Sequence, residues 1–473
     1  GGNTFFDVPG GPNNMTAEEL QRLQILEDAN VYSQIQFGEW GGWFSGLRPA
    51  KCGDPKQPHE CGNAEWWHIN FPNTLNTTTG QMTNDTDFQY YWGKYATPVA
   101  DSQGTPLVGF EKMPASRKEA YEIYRAYYNN RIAWLSSVGD QPYQRPTHIG
   151  SITCGFHGEI YAALWNMEGP NNAVTSNAGL ELQCQHANVQ FAMARGGARR
   201  SGKVWTVQPS GWGYGHSVTG CGPMQCKTGG QTYNRPCTPE ESQKGARCSG
   251  SEAGHSYSWY WRIWFHSWFA GAASVTAEGA SDSLFACDGS LSSLERHGLQ
   301  AQSVLGMARQ RDRGTAVTPL AVMIDKYLGY GVPHGKFQPG SWGVFNLSLN
   351  DYQFHDLLHQ QLFPPADLLN DEPQDLKTTP HGEIADIILA DAPPDFLSLY
   401  PVLLLAGDQD FSGDLVERLH HALNSTADEL ILQQYHVDAM GAVDFAMLKK
   451  TGKVSVVAPA PLPATGRTPA LSD

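Results

Sequence analysis

Strand-like and helix-like segments alternate along most of this chain, and that alternation narrows the available folds more than any other feature. Val31-Tyr-Ser-Gln-Ile-Gln-Phe reads as a strand. From 116 to 136, Ala120, Ile123, Tyr124, Tyr127 and Tyr128 recur at helical spacing. A strand at His148-Ile-Gly-Ser-Ile-Thr, a short helix at Glu159-Ile-Tyr-Ala-Ala-Leu-Trp and a strand over 173–181 follow. Then come a helix from His186 to Arg200 closed by Gly202, the strand Lys203-Val-Trp-Thr-Val-Gln-Pro, an aromatic helix over 257–272 and a strand over 273–278. Parallel strands need such crossovers, so the class is α/β, and about 300 residues suit a decorated (β/α)8 TIM barrel. We assign it residues 1–314, entered through a segment with a helical patch capped by Thr16.

Beyond Arg313-Gly314 the pattern changes. Pro319-Leu-Ala-Val-Met-Ile-Asp and Val402-Leu-Leu-Leu-Ala-Gly-Asp are unbroken apolar runs, as strands covered on both faces should be. An amphipathic helix is expected over 413–430 and a strand at Lys453-Val-Ser-Val-Val. This predicts a smaller three-layer α/β domain, flavodoxin- or Rossmann-like, over 315–458. Residues 459–473 form a Pro/Ala-rich tail.

The net charge of −15 opposes phosphate contacts and no basic run offsets it, which excludes a non-specific nucleic-acid binder. No apolar run has the ~20 residues of a membrane span. Cys52 and Cys61 close a short loop, and Cys221, Cys226, Cys237 and Cys248 crowd an insertion around 215–255. Two disulfides in one of three connectivities are expected there; a structural zinc site is the rival, disfavoured by the lack of any Cys-x-x-Cys pair. Cys154, Cys184 and Cys287 read as buried thiols. Acceptor tripeptides begin at Asn14, Asn76, Asn84, Asn346 and Asn424. With the paired cysteines they predict a secreted or cell-surface glycoprotein. Gly1 is not an initiator, so a processed chain or a fragment is expected.

Gly197-Ala-Arg-Arg-Ser-Gly202-Lys203 spells a phosphate loop but closes a helix and leads into a strand, the reverse of the order a phosphate cradle needs, and Val204 stands where a hydroxyl should. No Gly-x-Ser-x-Gly elbow or His-Glu-x-x-His pair is present. Carboxylates at strand ends among aromatics remain: Glu39 in Gly-Glu-Trp-Gly-Gly-Trp, Glu181 ahead of a helix, and Glu278 in Val-Thr-Ala-Glu-Gly-Ala. In a barrel all strand C-termini open on one face, so the three can converge. Glycoside hydrolysis needs two such groups astride the scissile bond. Trp40, Trp43, Trp212 and Tyr214 supply flat platforms for sugar rings, and His157 and Gln208 supply polar contacts. Alone, each Glu is better explained by a cap or a salt bridge; the three together, in aromatic company, favour a sugar site. Glu159 and Glu168 read as a solvated helix face, His157 and His186 also as helix caps, and the tryptophans of the aromatic helix as core.

At these residues the chain resembles the retaining barrel glycosidases related to the family 42 β-galactosidases. The resemblance rests on Lys203-Val-Trp-Thr-Val-Gln-Pro-Ser-Gly-Trp, then Arg262-Ile-Trp-Phe-His-Ser-Trp-Phe-Ala-Gly-Ala, the strand to Glu278, the pair His297-Gly298 and the strand at 319–325, covering about 200–420. It implies a (β/α)8 barrel followed by a trimerisation-type α/β domain, and leaves an oligomer and an extracellular assembly partner as open alternatives. Two positions depart from that pattern: Gln208 stands where the family has its nucleophilic Glu, and Glu181 follows Leu180 rather than an Asn. The expectation is a secreted glycoside hydrolase with Glu181 as acid/base, Glu278 as partner carboxylate and Glu39 assisting, acting on a poly- or oligosaccharide without a cofactor or catalytic metal. The alternative is a catalytically inactive relative with a structural or carbohydrate-binding role.

Overall fold

The computed structural model describes residues 4–7, 33–39, 73–76, 81–84, 114–122, 125, 148–154, 175–181, 187–202, 205–208, 232–233, 247–248, 257–275, 294, 296–331, 340–342, 345–363 and 379–458. They form a mixed α/β structure around two parallel sheets. The first sheet contains β1 (Thr4–Asp7), β2 (Ser33–Glu39), β5 (His148–Cys154), β6 (Thr175–Glu181), β7 (Trp205–Gln208) and β10 (Ser274–Val275), adjacent in that order. Every neighbouring pair runs parallel. Two small ladders lie between them in sequence: β3 (Asn73–Asn76) antiparallel to β4 (Gln81–Asn84), and β8 (Thr232–Tyr233) beside β9 (Arg247–Cys248).

Helix α1 (Ala187–Ser201) carries the chain from β6 to β7 and stops at Gly202, whose φ of +61° is a left-handed helix end that glycine adopts without strain. The phosphate-loop look-alike is therefore the last turn of α1. Helices α2 (Tyr257–Ala270) and α3 (Arg296–Gln310) follow. Phe191, Ala194 and Ala198 of α1 share a core with Trp205 and Val207 of β7, Ile263 and Trp264 of α2, and Ala301 and Val304 of α3. The expectation that the aromatics of α2 are mostly core holds for Trp264 but not for Trp261 and Phe269, which are exposed. The Arg313 guanidinium donates to the carbonyls of Trp268, Gly271 and Ala272, closing the C-terminal end of α2.

The second sheet has five parallel strands: β11 (Leu320–Ile324), β15 (Ala385–Leu389), β16 (Val402–Leu405), β17 (Glu429–Gln433) and β18 (Val454–Val457). Their spatial order is β15-β11-β16-β17-β18. Counted along the chain this is 2-1-3-4-5, with the direction of winding reversing between β11 and β16. Ala321 to Ile324 and all of β15 are buried, which accounts for their near-continuous apolar runs. A short meander of β12 (Tyr330–Gly331), β13 (Gly340–Ser341) and β14 (Phe345–Asn346) leads to α4 (Leu349–Asp356), which passes into a π-turn at Leu357–Leu362. Ser348 and Asp351 cap α4 reciprocally.

Around β16–β18 lie α5 (Pro394–Leu397), α6 (Leu415–Asn424), α7 (Gln434–Met440) and α8 (Ala442–Lys449). Leu415, Val416, Leu419, Ala422 and Leu423 of α6 face the core. The helix expected over 413–430 is shorter than predicted. It ends at Asn424, Ser425 leaves the helical conformation, and Leu430 and Leu432 alternate inward as part of β17. In the two parallel sheets β1 and β15 carry no prediction from the sequence, and neither do the short ladder strands β3, β4, β8, β9 and β12 to β14. None of the described helices is long and apolar enough to cross a membrane.

Candidate functional site

Parallel strands present their C-terminal ends to one edge of a sheet, so residues that end neighbouring strands are brought together whatever their distance in sequence. Glu39 ends β2, Glu181 ends β6 and Gln208 ends β7. Cys154, Glu181 and Gln208 are aligned across β5, β6 and β7. Glu39 pairs with Ile152, two residues short of that level. One strand, β5, lies between Glu39 and Glu181, so their backbones are about 10 Å apart laterally, and Gln208 is about 5 Å from Glu181. Strand β10 ends at Val275, three residues before Glu278.

Glu278, Trp40, Trp43, His157, Trp212 and Tyr214 lie outside the described residues, as do Glu159, Glu168 and His186. So do Cys52, Cys61, Cys221, Cys226 and Cys237, while Cys248 belongs to β9. Asn14 is outside as well. Asn76 and Asn84 end β3 and β4, Asn346 ends β14, and Asn424 is exposed at the last position of α6.

The second sheet has its own topological switch point, at the C-terminal ends of β11 and β16, where the winding reverses and where open α/β sheets generally hold ligands. Here Asp325, Asp351 and Asn350 are engaged with the chain itself. Asp325, just past β11, accepts from the backbone N–H groups of Tyr327 (2.7 Å) and Asp410 (3.2 Å). Burial pushes its carboxyl above the ordinary range, and the nearby Asp410 charge adds to this. Asp351 is fully buried and accepts from Arg117 (2.6 Å), Asp408 N–H (3.0 Å) and Ser348 N–H (3.2 Å). Asn350 donates to Asp408 at 2.6 Å. Beside Arg117, Tyr121 is buried edge-on against Tyr327 and Trp342, with the Lys326 ammonium 5.1 Å from its ring. Helical residues 117–122 thus occupy this edge. The sequence offered one signal of it, the Ser348-x-x-Asp351 capping pattern; the Arg117 partner lies 234 residues away and left no local trace.

A second charged array joins α1 to β15. Asp386 is fully buried and accepts from Arg195 Nε (2.5 Å), Arg199 (2.6 Å), Tyr400 Oη (2.8 Å) and Thr318 Oγ1 (3.0 Å). Arg195 also donates to the Ala385 carbonyl at 2.8 Å. Glu383 takes Asn188 (2.5 Å) and His266 (3.1 Å), and Asp391 takes Arg200 (2.5 Å) and Lys326 (3.2 Å). Burial alone would raise Glu383, but His266, then Arg195 and Asn188, hold it below its usual range. Asp391 is held down likewise by Arg200 and Lys326 against its burial. Elsewhere, His355 Nδ1 and His359 Nε2 meet the Tyr330 hydroxyl at 2.5 and 2.9 Å, and burial pushes that phenol well up, so it stays a protonated hydrogen-bonding group. Among the described residues no group of three or more His, Cys, Asp or Glu is arranged to hold a metal ion.

Compared with known proteins, no family model matches this chain and no curated protein matches it.

His436 makes the fold acid-sensitive. It is fully buried, with Nε2 at 2.8 Å from the Gly407 carbonyl and Nδ1 accepting from Gln433 N–H at 3.1 Å. Burial brings its pKa down to about 4. An unfolded histidine titrates near 6.5, so between these values the unfolded chain binds a proton that the folded chain refuses, and stability falls by about 3 kcal/mol as pH drops through the window. Glu383 and Asp391, with lowered folded values, extend the loss below the usual carboxylate range. Asp325, with a raised one, opposes the loss just above the usual carboxylate range, where the folded chain takes up its proton first. Urea midpoints at a series of pH values should decline from pH 6.5 to 4.5 and decline less in His436→Gln; a flat wild-type profile contradicts this account.

Proposed function

We propose that the protein is a secreted glycoside hydrolase acting on a poly- or oligosaccharide, built as a (β/α)8 barrel over 1–314 and a flavodoxin-like domain over 315–458. The observation that carries the reading is that Glu39, Glu181 and Gln208 end β2, β6 and β7 on one edge of a parallel sheet, Glu181 and Gln208 in register and Glu39 two residues short of them. The 2-1-3-4-5 strand order supports the second-domain assignment. Glu181 protonates the leaving oxygen, Glu278 is the partner carboxylate and Glu39 assists, with Trp40, Trp43, Trp212 and Tyr214 stacking on the sugar and His157 and Gln208 binding its hydroxyls. Exposed Asn424 is one of five acceptor sites for the glycans of a secreted chain.

A second reading, an inactive glycosidase-like glycoprotein that binds carbohydrate or serves as a building block, draws on one observation: β7 ends in Gln208 directly beside Glu181. An amide cannot become the glycosyl-bearing group. The two readings separate on a panel of aryl-glycosides and polysaccharides. Under the first, some member is turned over and Glu181→Gln lowers kcat by about 10²–10⁴-fold with the fold intact by circular dichroism. No turnover by the wild-type chain across the panel decides for the second.

A further inference from the structure

Helix α1 belongs to two sheets at once. It links β6 to β7, and through Phe191, Ala194 and Ala198 it packs against β7 and α2. An adjoining stripe, Asn188, Arg195, Gly196 and Arg199, lies on the second sheet at its edge strand β15. At Gly196 nothing separates the helix from the strand: a Cβ there would overlap the Ile387 carbonyl oxygen. On either side of this contact Arg195 and Arg199 both close on Asp386. Charge-assisted bonds from planar guanidinium groups fix direction as well as distance, so α1 has one position on β15. The crossover from β2 to β5 contains residues 117–122 and is tied by the Arg117–Asp351 pair to α4, which the Asp408 N–H holds beside the end of β16.

We propose that the second sheet sets the position of the C-terminal ends of β6 and β7 through α1, with Arg195, Arg199 and Asp386 as positioning residues for Glu181. Only five residues separate Glu181 from Ala187, and only three separate Ser201 from Trp205. Short connections of this kind transmit a shift of the helix to both strands. The mechanical link stands on the contacts alone; its consequence for catalysis rests on the glycosidase reading.

The test is segment-resolved amide hydrogen exchange on the full chain, with Arg199→Ala as the mild variant and Asp386→Asn as the severe one. Arg199 is about a third exposed, so its loss leaves the second sheet folded. The expected result is exchange faster by about tenfold at 175–181 and 205–208, with 429–433 and 454–457 unchanged in Arg199→Ala, and partial recovery in Arg199→Lys. Acceleration confined to α1 and β15, or equal in every strand, overturns the proposal. If the wild-type chain turns over a glycoside, Arg199→Ala should lower kcat more than it changes KM. Selective exchange in a chain without turnover keeps the coupling and removes the glycosidase reading; turnover with unaltered exchange at β6 and β7 does the reverse.

Discussion

Asp386→Ala is expected to destabilise the protein by about 3–5 kcal/mol, the range for breaking a buried ion pair from one side. The carboxylate sits in the middle of an apolar strand and is fully buried. It is tolerated there because four donors converge on it: Arg195, Arg199, Thr318 and Tyr400. Removing it leaves the Arg195 guanidinium buried with only the Ala385 carbonyl and a 3.7 Å approach to Glu383 for compensation. The Tyr400 phenol, raised chiefly by burial and then by the Asp386 charge, loses its acceptor while remaining a donor. A loss of this size is a large part of the 5–15 kcal/mol that folded domains ordinarily have. Asp386→Asn keeps an acceptor for Tyr400 and should cost less than Asp386→Ala. The double variant Arg195→Met/Asp386→Leu should recover most of the loss, because the cost lies in the stranded charge rather than in the missing attraction. Urea unfolding of the three variants decides the matter. A change under about 1 kcal/mol in Asp386→Ala means that Arg195 finds another partner or reaches water.

The same residue explains what could be read from the sequence. Unbroken runs at 320–324 and 402–405 identified β11 and β16; in β16 Leu403 and Leu405 are buried and Val402 and Leu404 half-buried, while β11 is buried on both faces. β15 is equally buried, yet Asp386 interrupts its apolar run, and the arginines that make the carboxylate acceptable lie 187 and 191 residues away. Arg199 was conspicuous only as part of a phosphate-loop spelling, since a sequence shows neighbours and not partners. The expected helix took in Leu430, the second residue of β17, because a few apolar residues satisfy either period; Asn424-Ser425 is the stop. In α2 aromatics occupy every side, so spacing could not say that Ile263 and Trp264 face inward while Trp261 and Phe269 do not. The strand-end positions of Glu39 and Glu181 were legible, as strand ends are local. Arg117 and Tyr121 on the second sheet were not, since that contact joins a crossover of one sheet to the edge of the other.

Gly196→Ala should destabilise by about 1–3 kcal/mol or more, reversing the sign usual for this substitution. In a helix interior alanine is favoured over glycine by up to about 1 kcal/mol, because glycine gives up more backbone freedom on folding. Gly306, inside α3 and with nothing within 4 Å of the position its Cβ would take, should show that gain. At Gly196 the added methyl would overlap the Ile387 carbonyl oxygen and stand 3.0 Å from Ile388 Cγ2. Strand β15 cannot retreat, since its other edge is bonded along its whole length to β11. The helix has to lift instead, by about 1 Å to reach ordinary carbon–oxygen contact. Lifting it lengthens the Arg195 bonds to Asp386 and to the Ala385 carbonyl, so the overpacking cost and the loss of charge-assisted hydrogen bonds arrive together. Gly196→Ala and Gly306→Ala, compared by thermal and urea unfolding, should therefore move in opposite directions. If both stabilise, α1 stands off β15 by at least a methyl group, and the glycine is there for some other reason.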